Sequence, residues 1–402
     1  MSRTTLTASV MNALLAPAAG GRKRPEAAWE KAVADLEQST GWSTTGDEQF
    51  AADLGFTLSR LTEIPGLTPF GWQACLRDAK ERLENRLRVR NLLETRPEIA
   101  DEKIVDPVFV VGLPRTATTL AHKVLAASDD HRGPLLWEMV RADLENPEAE
   151  AKIIKALDGG AKMVAKVAPS WEVIHPIRSR QPEETMFVLP HGTYHLILRG
   201  SMPGYRRWLG ERDTLPDFEY LKQTLQVLQH GREPKRWILK YPAHLNDMDT
   251  IREVFPDARF VWTHRDPTTA IGSLCSLMET SWSMYQRRPD LRQIGQLALE
   301  LLVESVEKGR ASRLNLPTDA IVDVPYHRLN SDPHREVPKL YEALGAKWTG
   351  KDAMNLANVL ARPQTDRRHE YGLSRYGLDL PTVESAFGDY VRLVDSFNTK
   401  LE

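Results

Sequence analysis

One fourteen-residue stretch, residues 107–120, concentrates groups that can hold an anion: Pro-Val-Phe-Val-Val-Gly-Leu-Pro-Arg-Thr-Ala-Thr-Thr-Leu. Val108 to Val111 is an apolar, β-rich run that reads as a buried strand. The run breaks at Gly112 and Pro114, and a threonine-rich start then opens a helix continuing through Leu125. A tight turn between a buried strand and a helix N-terminus aims several backbone N–H groups at one point, where a phosphate can sit. Thr116, Thr118 and Thr119 add hydroxyl donors, Ala117 lies between them, and Arg115 adds a planar, permanently charged fork.

The stretch differs from the phosphate loop of nucleotide triphosphatases, in which Gly is followed five positions later by Gly-Lys-Ser/Thr. Here Ala117, Thr118 and Thr119 occupy those positions. The lysine that reaches the terminal phosphates is missing, which argues against ATP or GTP hydrolysis. The loop suits a terminal phosphate on a donor that needs no metal.

A second anion-holding unit lies at Ala258-Arg259-Phe260-Val261-Trp262-Thr263-His264-Arg265-Asp266-Pro267. A strand ends at His264-Arg265, Asp266-Pro267 turns, and a helix runs from about Thr268 through Ser276. Ser273 lies two helical turns beyond Arg265 and can face back toward the strand end. Together Arg265 and Ser273 would hold a second phosphate, and two separated phosphates imply a nucleotide phosphorylated on both sides of its ribose.

Two further groups suit catalysis. Lys240 ends the short apolar strand Arg236-Trp237-Ile238-Leu239-Lys240, and ligands in open α/β sheets bind outside the C-terminal ends of strands. A structural salt bridge is its other reading. Glu138, in Leu135-Leu136-Trp137-Glu138-Met139, has apolar and aromatic neighbours that would partly desolvate it and make it a better proton acceptor. Its other reading is a helix-start glutamate facing water. His191 and His195 are four apart, but no acid lies between them, and with His175 they do not make a zinc helix. No metal is expected.

These residues require an α/β framework in which three strand ends meet. Residues 1–100 read as a helical N-terminal region, including a flexible basic link Gly20-Gly21-Arg22-Lys23-Arg24-Pro25 and a helix around Phe70 to Leu93. Residues 101–380 read as the α/β domain. Residues 141–165 form a surface helix region broken at Gly159-Gly160. Residues 166–236, rich in aromatics, would wall an acceptor pocket or make plain core. Tyr326 follows a last short strand, Ala320–Val324. Arg367, Arg368, Arg375 and Tyr376 belong to a basic, glycine-punctuated segment that would cover an anionic ligand, with a solvated C-terminal arm as its other reading. A tail, 381–402, ends the chain.

Composition narrows the function classes. The 402 residues carry 53 basic and 55 acidic side chains, a formal charge of −2, so no global pull toward nucleic acid is expected. Cys75 and Cys275 are far apart and read as reduced structural thiols. No apolar run is long enough to span a bilayer. Met1–Ala19 lacks the charged head of a secretion signal. A cytoplasmic address is the expectation.

In order and spacing these motifs resemble sulfotransferases that use 3′-phosphoadenosine 5′-phosphosulfate (PAPS), over about residues 105–380. Gly112-Leu113-Pro114-Arg115-Thr116-Ala117-Thr118-Thr119 is similar to that family's 5′-phosphosulfate loop, with Ala117 where Gly is usual. Arg265 and Ser273 match its 3′-phosphate pair. Tyr326 resembles the nucleotide-contacting tyrosine of protein-tyrosine sulfotransferases, which also carry Arg in the first loop and a glutamate base comparable to Glu138. The small-molecule branch uses a histidine base, which keeps His175, His191 and His195 as alternatives. Leu239–Leu245 and His369–Leu373 resemble stretches of a bacterial branch in which Ser usually replaces Tyr241. The resemblance implies a three-layer, P-loop-like fold with a central parallel sheet. It also implies sulfuryl transfer from PAPS to a hydroxyl of a small-molecule or lipid acceptor, with Arg115 and Lys240 stabilising the leaving phosphate. The rival readings are a nucleotide kinase-like enzyme and a non-catalytic nucleotide-binding protein; self-association is left open.

Overall fold

The computed structural model describes residues 3–361 and 372–399. Five strands form one parallel sheet: β1 (Val108–Gly112), β2 (His131–Arg132), β3 (Arg236–Lys240), β4 (Arg259–His264) and β5 (Ile321–Pro325), in the order β2-β3-β1-β4-β5. Every pairing is parallel, so all C-terminal ends point to one edge. Register aligns those ends: Val110 lies opposite Lys240, Gly112 opposite Thr263, and His264 opposite Pro325. The loops carrying Arg115, Lys240, Arg265 and Tyr326 therefore leave the sheet side by side.

β1 is buried along its whole length, as a central parallel strand covered on both faces must be. Its side chains alternate between two cores. Val108 and Val110 pack with Ala121, Val124 and Leu125 of the Thr118–Ala126 helix and with Val337 and Leu340. Phe109 and Val111 belong to the larger core on the other face, with Leu274 and Met278 of the Pro267–Tyr285 helix and Leu301 of the Leu291–Asn315 helix. Helices thus cover both faces, giving three layers around the parallel sheet.

The N-terminal region is helical and packs on this frame. Its longest element, Pro69–Thr95, starts with Thr68 accepting from the Gly71 N–H and with Pro69 in the first turn. Its Leu83, Leu87 and Val89 enter the larger core.

Two local expectations are corrected. The Gly20–Pro25 link is largely ordered: Pro17–Lys23 is a 3-10 helix, and Arg22 Nη1 donates to the Leu67 carbonyl at 3.0 Å. Gly159-Gly160 does not break a helix, because Pro147–Val167 runs through both. Each interior glycine costs about 1 kcal/mol, but the helix is anchored on both sides by buried Ile154 and Val167. The turn after Asp129 contains β2, whose two residues pair with β3.

The C-terminal tail also forms helices, Leu380–Phe387 and Asp389–Thr399. Buried Val383, Phe387 and Tyr390 join the larger core.

Candidate active site

The turn after β1 needs its glycine. Gly112 has φ +135°, and a Cβ there would lie 2.5 Å from the Thr263 carbonyl oxygen of the paired strand. Arg115 and Ala117 also have positive φ, +71° and +69°. These two left-handed residues bend the backbone so that the helix starts at Thr118. The first N–H groups of a helix have no intrahelical partner, and they face whatever lies before its N-terminus.

The three threonines differ. Thr116 is fully buried, donating to the Leu113 carbonyl at 2.7 Å and lying 2.6 Å from Thr263 Oγ1. Its hydroxyl holds the turn together. Thr118 is buried at the helix start and Thr119 is exposed.

The second anion unit touches the first. Arg265 Nη1 donates to the Arg115 carbonyl at 2.8 Å, and Arg115 Nε donates to Ser273 Oγ at 3.0 Å. Arg115 Nη1 also reaches the Ile174 carbonyl at 3.1 Å. The Arg265 guanidinium stands 4.0 Å from the ring centroid of Tyr326, a close cation–π contact. Ser273 is held on the Pro267–Tyr285 helix, capped by Asp266, which accepts from the Thr268 and Thr269 N–H groups. Arg115, Arg265, Ser273 and Tyr326 are therefore one contiguous set.

Lys240 is 1% exposed, and its ammonium is 2.5 Å from Glu184 Oε1 and 3.9 Å from Glu183 Oε1. His175 Nε2 approaches Glu183 Oε1 at 3.7 Å. The ligand-type atoms of His175, Glu183 and Glu184 lie within 4.8 Å of one another, a set that suits a cation. The Lys240 ammonium is a cation already seated on its two carboxylates.

Glu138 has different surroundings from those expected. It is buried, Oε1 accepts from Arg132 at 2.5 Å and from Arg232 at 3.4 Å, and Oε2 accepts from the Leu135 N–H at 3.0 Å. Its carboxylate is bonded to two guanidinium groups and to the backbone at the helix start.

A cavity of about 340 Å³ opens against the loop residues Gly112, Leu113 and Pro114. That is the size of a small-molecule site. Phe70, Trp171, Phe187, Leu277 and Tyr285 make much of its wall, and His175 and Glu184 also line it. Its charged side is self-compensating: Asp78 accepts from Arg82 at 3.0 Å and from Arg199 at 2.5 Å. Those two guanidinium groups hold the Asp78 carboxyl down at about 2, against the opposing effect of burial. A smaller cavity of about 70 Å³, lined by His191, Asp217, Asp247 and Lys308, shares part of its lining with the larger one. Tyr241 lines both, and its hydroxyl accepts from the Tyr194 N–H at 3.1 Å.

A model of the sulfotransferase family matches residues 107–350. The chain belongs to the sulfotransferase family. Two curated relatives, the omega-hydroxy-beta-dihydromenaquinone-9 sulfotransferases Stf3 of Mycobacterium bovis and Mycobacterium tuberculosis, are each 27% identical over 259 residues. That match covers 61% of this chain and 65% of each relative's length. Among solved structures, sulfotransferase STF9 from Mycobacterium avium superposes with a TM-score of 0.81 at 28% identity, over 90% of this chain and 96% of that one. Sulfotransferase STF1 from Mycobacterium tuberculosis gives 0.78 at 26% identity, over 89% and 98%.

In this sulfotransferase the sheet edge unites most of the residues singled out by motif. Arg368 lies outside the described residues. Of the three alternative histidines, only His175 lines the larger cavity. His191 and His195 are fully buried, and desolvation holds both well below the ordinary imidazole range. Sequence reading missed Glu184, which sits in Pro182-Glu183-Glu184-Thr185 with no motif around it. It also missed the contribution of Phe70, Ala74 and Arg77 from the N-terminal helical region to the cavity.

Proposed function

We propose that this sulfotransferase transfers a sulfuryl group from PAPS to the hydroxyl of a predominantly apolar alcohol, releasing adenosine 3′,5′-bisphosphate. The observation that carries the proposal is one apolar cavity opening directly against an anion-holding loop that is joined to a second Arg/Ser pair. The residues fit the nucleotide. Backbone N–H groups of residues 115–119, with the hydroxyls of Thr118 and Thr119, would hold its 5′ end, and Gly112 leaves the turn room to form. Arg265 and Ser273 would hold the 3′-phosphate, and Tyr326 would offer its ring beside Arg265. Thr116 serves by fixing the turn, and Ala117 by supplying its backbone.

Chemically, the acceptor oxygen forms a bond to sulfur while the bond from sulfur to the bridging phosphate oxygen breaks. The electron pair leaves on the phosphate and the hydroxyl proton passes to a base. Glu184 suits that role better than Glu138, since it lines the cavity that opens against the loop and Glu138 does not. Lys240 fixes Glu184 Oε1, which leaves Oε2 to receive the proton. Lys240 is thereby a positioning residue, and Arg115 is the cation that stabilises charge developing on the leaving phosphate. His175 is the second candidate base. The curated relatives' name specifies an omega-hydroxylated dihydromenaquinone, an acceptor with a long apolar body, which agrees with the character of this cavity.

The test supplies PAPS with straight-chain alcohols, phenols, hydroxylated lipids and an anionic polysaccharide, and follows adenosine 3′,5′-bisphosphate. The expected result is turnover that rises with the apolar length of the alcohol. No turnover with any hydroxyl compound, or a preference for the polysaccharide, would overturn the proposal.

A further inference from the structure

From Thr4 to Gly21 the chain carries no charged residue, although 27% of the whole protein is charged. Arg22-Lys23-Arg24 follows at once. Within the uncharged stretch, the Leu6–Leu15 helix places Leu6, Val10 and Leu14 four residues apart, on one face. They are 85%, 58% and 69% exposed. A contiguous apolar face left in water usually marks an interaction surface.

The inner face of the same helix is packed. Ala8 packs against buried Val167, Ala168 and Met284, as do Phe70, Val164, Trp171 and Tyr285, and Asn12 Oδ1 accepts from the Phe70 N–H at 2.9 Å. Those four residues also wall the larger cavity. The helix thus packs on the same cluster as residues that wall the larger cavity, and it presents apolar side chains to solvent.

Its ends are flanked by cations. Lys23 and Arg24 are exposed beyond the C-terminal end. At the other end Thr5 Oγ1 donates to the Lys166 carbonyl at 2.6 Å, which brings exposed Lys166 alongside. Among the described residues no helix is long and apolar enough to cross a membrane. An uncharged helix face bracketed by Lys and Arg instead suits the headgroup plane of an anionic bilayer.

We propose that the Leu6–Leu15 helix docks this sulfotransferase on an anionic membrane surface, with Leu6, Val10 and Leu14 entering the acyl boundary and Lys23, Arg24 and Lys166 facing lipid phosphates. The cavity behind the helix then lies next to the phase in which apolar alcohols accumulate. The purpose assigned to docking rests on the apolar-acceptor reading above, but docking itself is measured without any acceptor.

The experiment is flotation of the full chain with phosphatidylcholine vesicles, with and without phosphatidylglycerol. Wild type is expected to float with the anionic vesicles and to be released by high salt. Leu6→Ser/Val10→Ser/Leu14→Ser should lower the bound fraction by about tenfold or more, while turnover of a water-soluble alcohol stays unchanged. Lys23→Glu/Arg24→Glu, which leaves the helix intact, should weaken binding to anionic vesicles. The proposal is overturned by a wild type that does not float, or by both variants binding as wild type does. It is also overturned if sedimentation finds a wild-type dimer that the triple variant dissociates, because the face would then join two copies. Turnover confined to polar acceptors, with vesicle binding intact, would count against the acceptor reading and leave docking standing.

Discussion

The edge that would hold the donor and the cavity that would hold the acceptor lie on either side of Gly112–Pro114, yet they are assembled differently. The edge uses residues within a few positions of three strand ends, joined by short polar contacts such as Arg265 to the Arg115 carbonyl at 2.8 Å. The cavity draws Phe70, Trp171, Glu184, Tyr241 and Leu277 from separate helices and loops. An anion is recognised by backbone N–H groups and fixed charges, which a short local sequence can present. An apolar alcohol is recognised by the shape left between packed elements, which no local sequence encodes. The Pro267–Tyr285 helix joins the two regions, presenting Ser273 to the edge and Leu277 to the cavity.

The largest expected effect separates the regions by function. Glu184→Gln should lower turnover by about 10²–10⁴-fold, the usual range for a general base. Calorimetric affinity for adenosine 3′,5′-bisphosphate should stay nearly unchanged. Glu138→Gln is the matched control: turnover per folded molecule should persist, while the melting temperature falls because Arg132 and Arg232 lose their buried carboxylate partner. If the two variants exchange these outcomes, the base belongs beside Arg132 and the geometric argument for Glu184 fails.

Next in size is the converse substitution on the edge. Arg265→Ala removes a charged hydrogen-bond donor, worth about 1.5–3 kcal/mol. Binding of the doubly phosphorylated nucleotide should weaken by roughly 10–100-fold. Adenosine 5′-phosphate, lacking the 3′ group, should lose much less. An equal loss for both nucleotides would show that Arg265 acts by supporting the Arg115 carbonyl rather than by meeting the 3′-phosphate.

The shared helix gives a pH test of how far the regions depend on one frame. Glu279, on that helix, accepts from Arg3 at 2.7 Å and from Tyr376 at 2.8 Å, and pairs with Arg375. These hydrogen bonds outweigh the upward effect of burial and hold its carboxyl down at about 2, against an ordinary 4.5. A lowered carboxyl pKa stabilises the fold above the unfolded-state value and loses that contribution as pH falls toward the folded-state one. The melting temperature should therefore drop between about pH 5 and pH 2, by an amount equivalent to roughly 1–3 kcal/mol. Glu279→Gln should flatten that part of the profile. A variant with the wild-type profile would mean that Arg3 and Arg375 are not held there in solution.

The same contrast explains what the sequence discloses. Strands β1, β3, β4 and β5 read clearly, because short apolar runs followed closely by Gly112, Lys240, Arg265 and Tyr326 leave few alternatives. The nearness of Arg265 and Ser273 is suggested by their spacing, and in the fold Arg115 bridges them, its carbonyl accepting from Arg265 and its Nε donating to Ser273. At Glu138 the apolar neighbours in sequence suggest desolvation, and the carboxylate is indeed buried, but its partners Arg132 and Arg232, the second from far along the chain, are not visible in the local sequence. Glu184 was illegible because its placement depends on Lys240 arriving from another strand. Residues 20–25 read as a flexible link because their glycines are locally permissive. Their order comes from packing, since a Cβ on Gly21 would lie 3.3 Å from the Trp72 ring.

Tyr241 tests the cavity side alone. It forms a wall common to the 340 Å³ and 70 Å³ cavities, so Tyr241→Ser should join them. One or two methylenes in an apolar pocket are worth about 1–3 kcal/mol. The preferred alcohol should therefore lengthen or broaden, with specificity between chain lengths shifting by roughly tenfold. Affinity for adenosine 3′,5′-bisphosphate should not move. A change in nucleotide affinity without a change in alcohol preference would couple Tyr241 to the edge and blur the division.

The smallest effect probes the edge at its one departure from the family loop. Ala117 adopts φ +69°, a conformation that costs a residue with a Cβ about 1 kcal/mol. Glycine accepts that φ freely but gives the unfolded chain more freedom to lose. Ala117→Gly should therefore shift stability upward by no more than about 1 kcal/mol, read as a small rise in melting temperature. It should also tighten nucleotide binding slightly, because a backbone without Cβ permits closer approach to a phosphate. A fall in stability would mean that neighbours, above all the buried Thr116–Thr263 contact, hold the turn so firmly that Ala117 bears little strain. In that case the loop's shape comes from the sheet beneath it, and the edge resembles the cavity more than its short motif suggests.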